Sequence, residues 1–126
     1  DIVATDTSSA AAYVTKSVVL DNISTALDVR LTQNVRSSSS VKVYFRLSSS
    51  EEARLIGDIG WTPFNSTGLE DTTVTPAEDD NTFKEYKYSA SGLNEFTTFQ
   101  IKIVMEGTNS AYPPIIRDLR GIALAI

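Results

Sequence analysis

The chain has 126 residues, of which 41% are hydrophobic and 21% charged, and this composition excludes a disordered chain and allows one domain with a buried core. It contains no cysteine and no histidine, which excludes disulfides, thiolate nucleophiles, Cys or His metal sites and histidine-dependent catalysis. The net charge is −5 and the 11 basic residues form no cluster along the sequence, so we expect no nucleic-acid partner. No apolar run reaches the length of a transmembrane helix, so we expect no membrane insertion.

The chain divides into two parts by composition. Residues 1–10 are small and polar without periodicity, and we interpret them as an N-terminal arm or linker. Residues 11–126 are interpreted as one domain. The 29 serines and threonines favour strand surfaces and turns and disfavour helix interiors.

Six segments have the alternation or the β-branched content of strands. In chain order they are residues 13–20, 27–32, 41–47, 83–88, 99–105 and 115–126. Strict alternation in the second, third and fifth segments predicts that each buries one face. In the third segment the inward side chains are predicted to be Val41, Val43, Phe45 and Leu47.

One helix candidate and one long loop complete the predicted elements. Residues 49–55 combine serines able to cap a helix with two glutamates in the first turn. Residues 65–81 are acidic and poor in hydrophobic side chains, which predicts a long surface loop. The predicted fold is therefore all-β: an antiparallel β-sandwich of the jelly-roll type with at most one short helix. A small closed barrel is the alternative.

Three pairs of segments carry a family resemblance. They are residues 12–20 with 26–31, residues 41–46 with the later Trp61-Thr62-Pro63-Phe64, and residues 99–104 with 113–124. In this order they resemble a β-sandwich domain of virion structural proteins of tailed bacteriophages. In contractile-tailed phages of the marine, T4-like kind, that domain belongs to baseplate, neck or tail-fibre-associated proteins. The second and third pairs also resemble the framework of galactose-binding-like jelly rolls.

The resemblance implies a function that involves no catalysis. It implies a non-catalytic structural and assembly module in the tail, baseplate or neck of a virion, with no cofactor. Its partners would be other virion subunits in a homo- or hetero-oligomeric assembly. The alternative is a carbohydrate-binding or adhesin module that recognises a glycan on the host surface.

The aromatic residues supply the candidate binding sites. We predict a subunit interface at Tyr44, Tyr86, Tyr88 and Tyr112, because tyrosine is enriched in interfaces, and prefer this to a glycan site. We expect Tyr44 and Tyr86 to be replaceable by alanine without loss of the fold. The single tryptophan, Trp61, is interpreted as a core or rim residue, with glycan stacking together with Tyr112 as the alternative.

The acidic residues supply weaker candidates. Glu78, Asp79 and Asp80 form a run that calcium would accept only poorly, because calcium sites space their oxygen ligands along a turn. A solvated acidic loop without a metal is the preferred interpretation. A carboxylate pair for glycoside hydrolysis, drawn from Glu51, Glu52 and Asp58, has no supporting pattern. We therefore predict that the chain is not an enzyme.

Overall fold

The computed structural model describes residues 2–3, 11–79, 81–107 and 114–124. These residues form nine β-strands: β1 (Ile2–Val3), β2 (Ala11–Val14), β3 (Val18–Ser24), β4 (Ala26–Asn34), β5 (Ser39–Ser48), β6 (Thr62–Pro63), β7 (Lys84–Ala90), β8 (Phe96–Gly107) and β9 (Ile115–Leu124). Two single 3₁₀ turns flank β6: Ile56–Asp58 precedes it and Phe64–Ser66 follows it. None of the helical segments described has the length and apolar character required to cross a bilayer.

The strands form two antiparallel sheets. The first sheet has the order β1-β9-β4-β7. In the second, β8 pairs with β5 on one side and with β2 and β3 in succession on the other, and β6 pairs with β5. The prediction of an all-β antiparallel sandwich is confirmed.

The core lies between the sheets and is built by the alternation that the sequence shows. Leu31 of β4, Val43 of β5 and Ile103 of β8 are each 0% exposed. Burial of alternate residues fixes the register of each strand, because a slip by one residue would turn the apolar set outward. The same constraint fixes which side chains the outer faces present.

The segment predicted as one strand over residues 13–20 is two strands. Val14 pairs with Lys102 of β8 and Val18 pairs with Phe99, so four steps on this segment match three on β8. The extra residue interrupts the ladder as a bulge does. Thr15 keeps the break attached to β8, because its backbone N–H donates to the Ile101 carbonyl and its hydroxyl accepts from the Ile101 N–H.

The helix candidate over residues 49–55 does not form. The segment contains a turn in which the Glu52 N–H donates to the Ser49 carbonyl, and the 3₁₀ turn Ile56–Asp58 follows it. Leu55, the one large apolar side chain of the segment, is 76% exposed. A short helix needs an apolar face packed on the core, and this segment has none to offer.

The acidic segment is a surface loop, as predicted, and backbone hydrogen bonds hold it across one side of the sandwich. We use "the strap" for residues 69–79. Just before the strap, the Gly68 carbonyl accepts from the Val43 N–H of β5. Within it, the Asp71 N–H donates to the Lys87 carbonyl of β7, and the Ala77 N–H donates to the Val35 carbonyl. These bonds connect the edge of the second sheet to the edge of the first.

Residues 1–10 were predicted as an arm. Of these, the structure describes Ile2–Val3, which pair with Ile116 and Ile115 of β9. The remaining arm residues lie outside the described part of the chain, and the domain boundary stays a prediction.

Candidate functional site

The outer face of the second sheet presents side chains from β5 and β8 in direct register. In β5, Lys42, Tyr44 and Arg46 alternate with buried residues and therefore point away from the core. Tyr44 is paired with Lys102 of β8, and Arg46 with Gln100. Directly paired residues of antiparallel strands place their side chains side by side on one face.

Trp61 completes this face from outside the strands. It immediately precedes β6, whose Pro63 pairs with Tyr44 of β5. The guanidinium carbon of Arg46 lies 4.1 Å from the centre of the Trp61 ring. The Lys102 ammonium lies 5.2 Å from that ring and 4.9 Å from the ring of Tyr44. Both cations are within the range of attractive cation–π contacts.

Arg46 is held by hydrogen bonds as well as by the ring. Its Nε donates to Gln100 Oε1 at 2.8 Å, and its Nη1 donates to the carbonyls of Gly57 and Ile59 at 3.3 Å each. Gln100 Nε2 in turn donates to the Thr15 carbonyl at 2.7 Å. The network ties β5 and β8 to the break between β2 and β3 and to the first 3₁₀ turn, so the face is preorganised. We call Lys42, Tyr44, Arg46, Trp61 and Lys102 the cationic face.

The cations of the cationic face form no ion pair with a carboxylate of the described residues. Within the described residues, no carboxylate lies within 4.0 Å of the cationic groups of Lys42, Arg46 or Lys102. The nearest acidic position on the same face of β8 is Glu106, which pairs with Ser40 at the end of β5.

On the outer face of the first sheet, in contrast, the charged side chains are ion-paired. Arg30 Nη1 lies 3.1 Å from Glu85 Oε1, and Arg120 Nη2 lies 3.0 Å from Glu85 Oε2. Arg30 also reaches Asp28 at 3.2 Å, and Lys87 lies 3.9 Å from the same carboxylate. Positive and negative groups alternate across three strands there, so that face carries little excess charge.

The structure brings together two of the predicted site residues and separates the others. Tyr44 and Trp61 share Lys102 on the cationic face. Tyr86 and Tyr88 are buried, at 5% and 0% exposure, and so offer no surface to a partner. Tyr112 lies outside the described residues. Trp61 is half-buried at the rim of the sheet.

Tyr86 and Tyr88 lie in the core, and their hydroxyls have the properties of buried groups. Gln33 Nε2 donates to the Tyr88 hydroxyl at 3.1 Å, and the pKa of Tyr88 is raised because the ring is buried. Burial, assisted by the charge of Glu70, raises the pKa of Tyr86 to about 12. Both hydroxyls therefore remain protonated at neutral pH.

Of the acidic candidates, Asp79 accepts hydrogen bonds from residues close to it in the sequence. Asp79 Oδ1 accepts from the backbone N–H groups of Asn81 and Thr82, and its Oδ2 accepts from the Thr82 hydroxyl. Glu78 is exposed, and Asp80 lies outside the described residues. No group of three or more acidic side chains able to hold a metal is present in the described part of the chain.

The residues that sequence reasoning missed are Lys42, Arg46 and Lys102. They are spaced along two strands that are distant in sequence, so no basic cluster is visible in the chain. The outward positions of 41–47 and 99–105 could have identified them, because the alternation places Lys42 and Arg46 on the same face as Tyr44 and places Lys102 on the outward face of the other segment. Comparison of the chain with protein-family models, with curated proteins and with solved structures gives no match to any of the three.

Proposed function

We propose that this domain is a non-catalytic interaction module whose cationic face docks on an acidic surface of a neighbouring subunit. The observation that carries the proposal is that Lys42, Arg46 and Lys102 have no ion-pair partner among the described residues, whereas the charges on the other outer face are paired. We propose the virion of a tailed phage as the setting, in its tail, baseplate or neck. The support for that setting is the sequence resemblance alone.

The composition of the cationic face suits a protein partner. Arginine, tyrosine and tryptophan are the residue types that dominate binding energy at protein interfaces. Arg46 and Trp61 are already ordered against each other, at 4.1 Å, so docking would immobilise few additional rotamers. A basic face on a chain of net charge −5 also orients an approaching acidic partner toward one side of the domain.

We propose a jelly roll as the finer fold. The support is the path of the chain, which passes between the two sheets at nearly every connection. It leaves the first sheet after β1, returns at β4, leaves at β5, returns at β7, leaves at β8 and returns at β9. Such a framework is a passive scaffold that holds one face rigid while loops vary.

The test is incorporation into particles. Lys42→Gln with Lys102→Gln removes two charges from the cationic face, and Lys87→Gln with Arg120→Gln removes two from the ion-paired face. Quantitative mass spectrometry of purified particles should show wild-type copy number for the control pair and strong loss for the first pair. Absence of the wild-type chain from particles would refute the virion setting. Equal incorporation of both double variants would refute the cationic face as the docking surface.

The second candidate is an acidic glycan bound at the same face, and the contact of Trp61 with two cations favours an acidic glycan over a neutral one. Trp61 fluorescence separates the candidates. Titration with polygalacturonate and with neutral dextran should leave the emission unchanged if the partner is a protein. A saturable shift with polygalacturonate alone would favour the glycan.

A further inference from the structure

The outer face of the second sheet continues past the cationic face into a row of small and apolar side chains. In this row Val19 of β3 pairs with Thr98 of β8, which pairs with Ser48 of β5. Directly paired residues place their side chains on one face, and Ser48 continues the outward alternation of Tyr44 and Arg46. Val19 is 76% exposed. The row therefore leaves an apolar side chain in solvent beside the cations.

Two carboxylates lie past this row, where β5 ends and β8 begins. Glu95 immediately precedes β8, and Glu51 follows the last residue of β5 by three positions. Both are exposed, and both line a cavity of about 170 Å³ together with Ile23. Among the described residues neither has a cationic group within 4.0 Å, whereas Arg54, close to the same end, is paired with Glu52 at 3.0 Å. We call Glu51 and Glu95 the acidic end.

The cations and the acidic end lie at similar distances on opposite sides of the row. Lys102 follows Thr98 by four positions, and Glu95 precedes it by three. At about 3.3 Å per residue, these separations are about 13 and 10 Å along the chain. A two-fold axis that crosses the strands at this row would therefore lay the cations of each copy over the acidic end of the other. Such a surface is self-complementary, which is what a two-fold interface requires.

We propose that the acidic surface on which the cationic face docks belongs to a second copy of this chain. The two copies form a symmetric dimer with the Val19 side chains at its centre. This inference rests on the proposed function, because it uses the same cations and names their partner. Charge pairing on both sides of the row sets the orientation of the copies, and the apolar contact at the centre excludes water.

The first test exchanges charges between the two patches and follows self-association by sedimentation equilibrium. We expect the purified chain to form dimers at about 0.01–1 mM protein, the range in which weak interfaces are populated. Lys102→Glu and Glu95→Lys should each weaken the dimer by about tenfold or more, because each sets like charges opposite each other at two symmetric contacts. An equimolar mixture of the two variants should dimerise again, because each new charge then faces its opposite. Lys87→Glu and Glu78→Lys, the same charge changes away from this face, should leave dimerisation unchanged.

The second test locates the axis. Because the chain has no cysteine, Val19→Cys carries a single thiol, and so does Lys87→Cys on the other outer face. A short bismaleimide should join two copies of the first variant in high yield and leave the second largely uncrosslinked. Equal yields in the two variants would contradict a dimer centred on Val19.

Four results of the first test would overturn the proposal. A wild-type chain that stays monomeric over this range would exclude a second copy as the partner, and the particle experiment would then decide separately whether the cationic face docks on another protein. Failure of the mixed variants to dimerise would show that Lys102 and Glu95 are not opposed. Association beyond the dimer would indicate a head-to-tail contact instead of a two-fold one. Equal weakening by the control variants would mean that net charge, and not these patches, governs association.

Discussion

Phe64 is an aromatic side chain that contacts both sheets in the core. It is 0% exposed. Its ring centre lies 4.7 Å from that of Phe45, on β5 of the second sheet, and 6.1 Å from that of Tyr88, on β7 of the first. Aromatic contacts of this kind, edge-to-face with Phe45 and tilted with Tyr88, stabilise the fold beyond what the buried area of the ring contributes. The segment that leads from Trp61 into the strap is therefore anchored by one aromatic residue.

Phe64→Ala should strongly destabilise the domain. Loss of a fully buried phenylalanine costs about 3–5 kcal/mol, which is a large share of the 5–15 kcal/mol that typically separates folded and unfolded states. The free energy of unfolding from urea titration measures this. Leu55→Ala, a change at a 76% exposed position, should stay within about 0.5 kcal/mol of wild type. A loss at Phe64 no larger than the loss at Leu55 would contradict the anchoring role.

The raised pKa of Tyr86 predicts a loss of folding stability at alkaline pH. Its pKa is raised by burial to about 12 from 10.0. The unfolded chain therefore releases this proton near pH 10 while the folded chain retains it. The contribution is complete below about pH 10 and is lost as the pH rises toward about 12. The free energy of unfolding should fall over this interval, and in Tyr86→Phe it should fall less steeply. An identical slope in the two proteins would show that Tyr86 does not titrate as a buried group.

The burial of Tyr86 and Tyr88 revises their predicted role. Residue type alone predicts both at a subunit interface, with alanine tolerated at position 86. The structure places both rings in the core, so alanine at either position would leave a cavity. The signal was present in the chain, because Glu85 and Lys87 alternate with the two tyrosines and mark the outward side.

At the scale of elements, Gly68 determines how closely the chain approaches β5. Its φ of +84° lies in the left-handed region, and a Cβ built there would be 2.9 Å from Lys42 Cβ. The preceding Asn65 and Ser66 also have positive φ, at 54° and 61°. Three such residues within four positions reverse the chain tightly enough for the Gly68 carbonyl to reach the Val43 N–H.

Gly68→Ala should destabilise the domain by about 1–3 kcal/mol, because the new methyl group meets both a disfavoured φ and the Lys42 side chain. Gly60→Ala is the matched control, since a Cβ at Gly60 meets nothing within 4 Å. Chemical denaturation of the two variants makes the comparison. A tolerated Gly68→Ala with a destabilising Gly60→Ala would mean that the close approach to β5 is not the constraint.

Local sequence predicts the strands and their buried faces more reliably than it predicts the segments that connect the strands. The alternations in residues 27–32, 41–47 and 99–105 predicted β4, β5 and β8, because the apolar period of two is a local property. The break between β2 and β3 depends on register with β8, which lies about 80 residues away in the chain. The backbone hydrogen bonds that hold the strap also join residues from separate elements, at shorter separations in the chain.

The candidate site was predictable only in part for the same reason. The sequence named Tyr44 and Trp61 as separate candidates and preferred the core or rim for the tryptophan. Their association through Lys102 depends on the pairing of β5 with β8 and on the position of β6. Sheet order of this kind is not encoded in any single segment.

At the scale of the whole molecule, the two outer faces differ in whether their charged side chains form ion pairs. The chain is acidic overall, yet Lys42, Arg46 and Lys102 form a basic field on one side, while the other side balances its charges internally. A field of one sign on one face gives the domain a preferred orientation toward an oppositely charged surface. A module that repeats in a symmetric ring would present this face at every copy.

Photo-crosslinking within assembled particles tests the central claim most directly. A photoreactive phenylalanine analogue would replace Tyr44 on the cationic face in one variant and Lys87 on the ion-paired face in another. Mass spectrometry would then identify the crosslinked peptides. We expect the probe at position 44 to crosslink to an acidic segment of a neighbouring subunit and the probe at position 87 to give no comparable product. Crosslinks from position 87 alone, or none from position 44 in particles that contain the chain, would contradict the assignment of the cationic face as the docking surface.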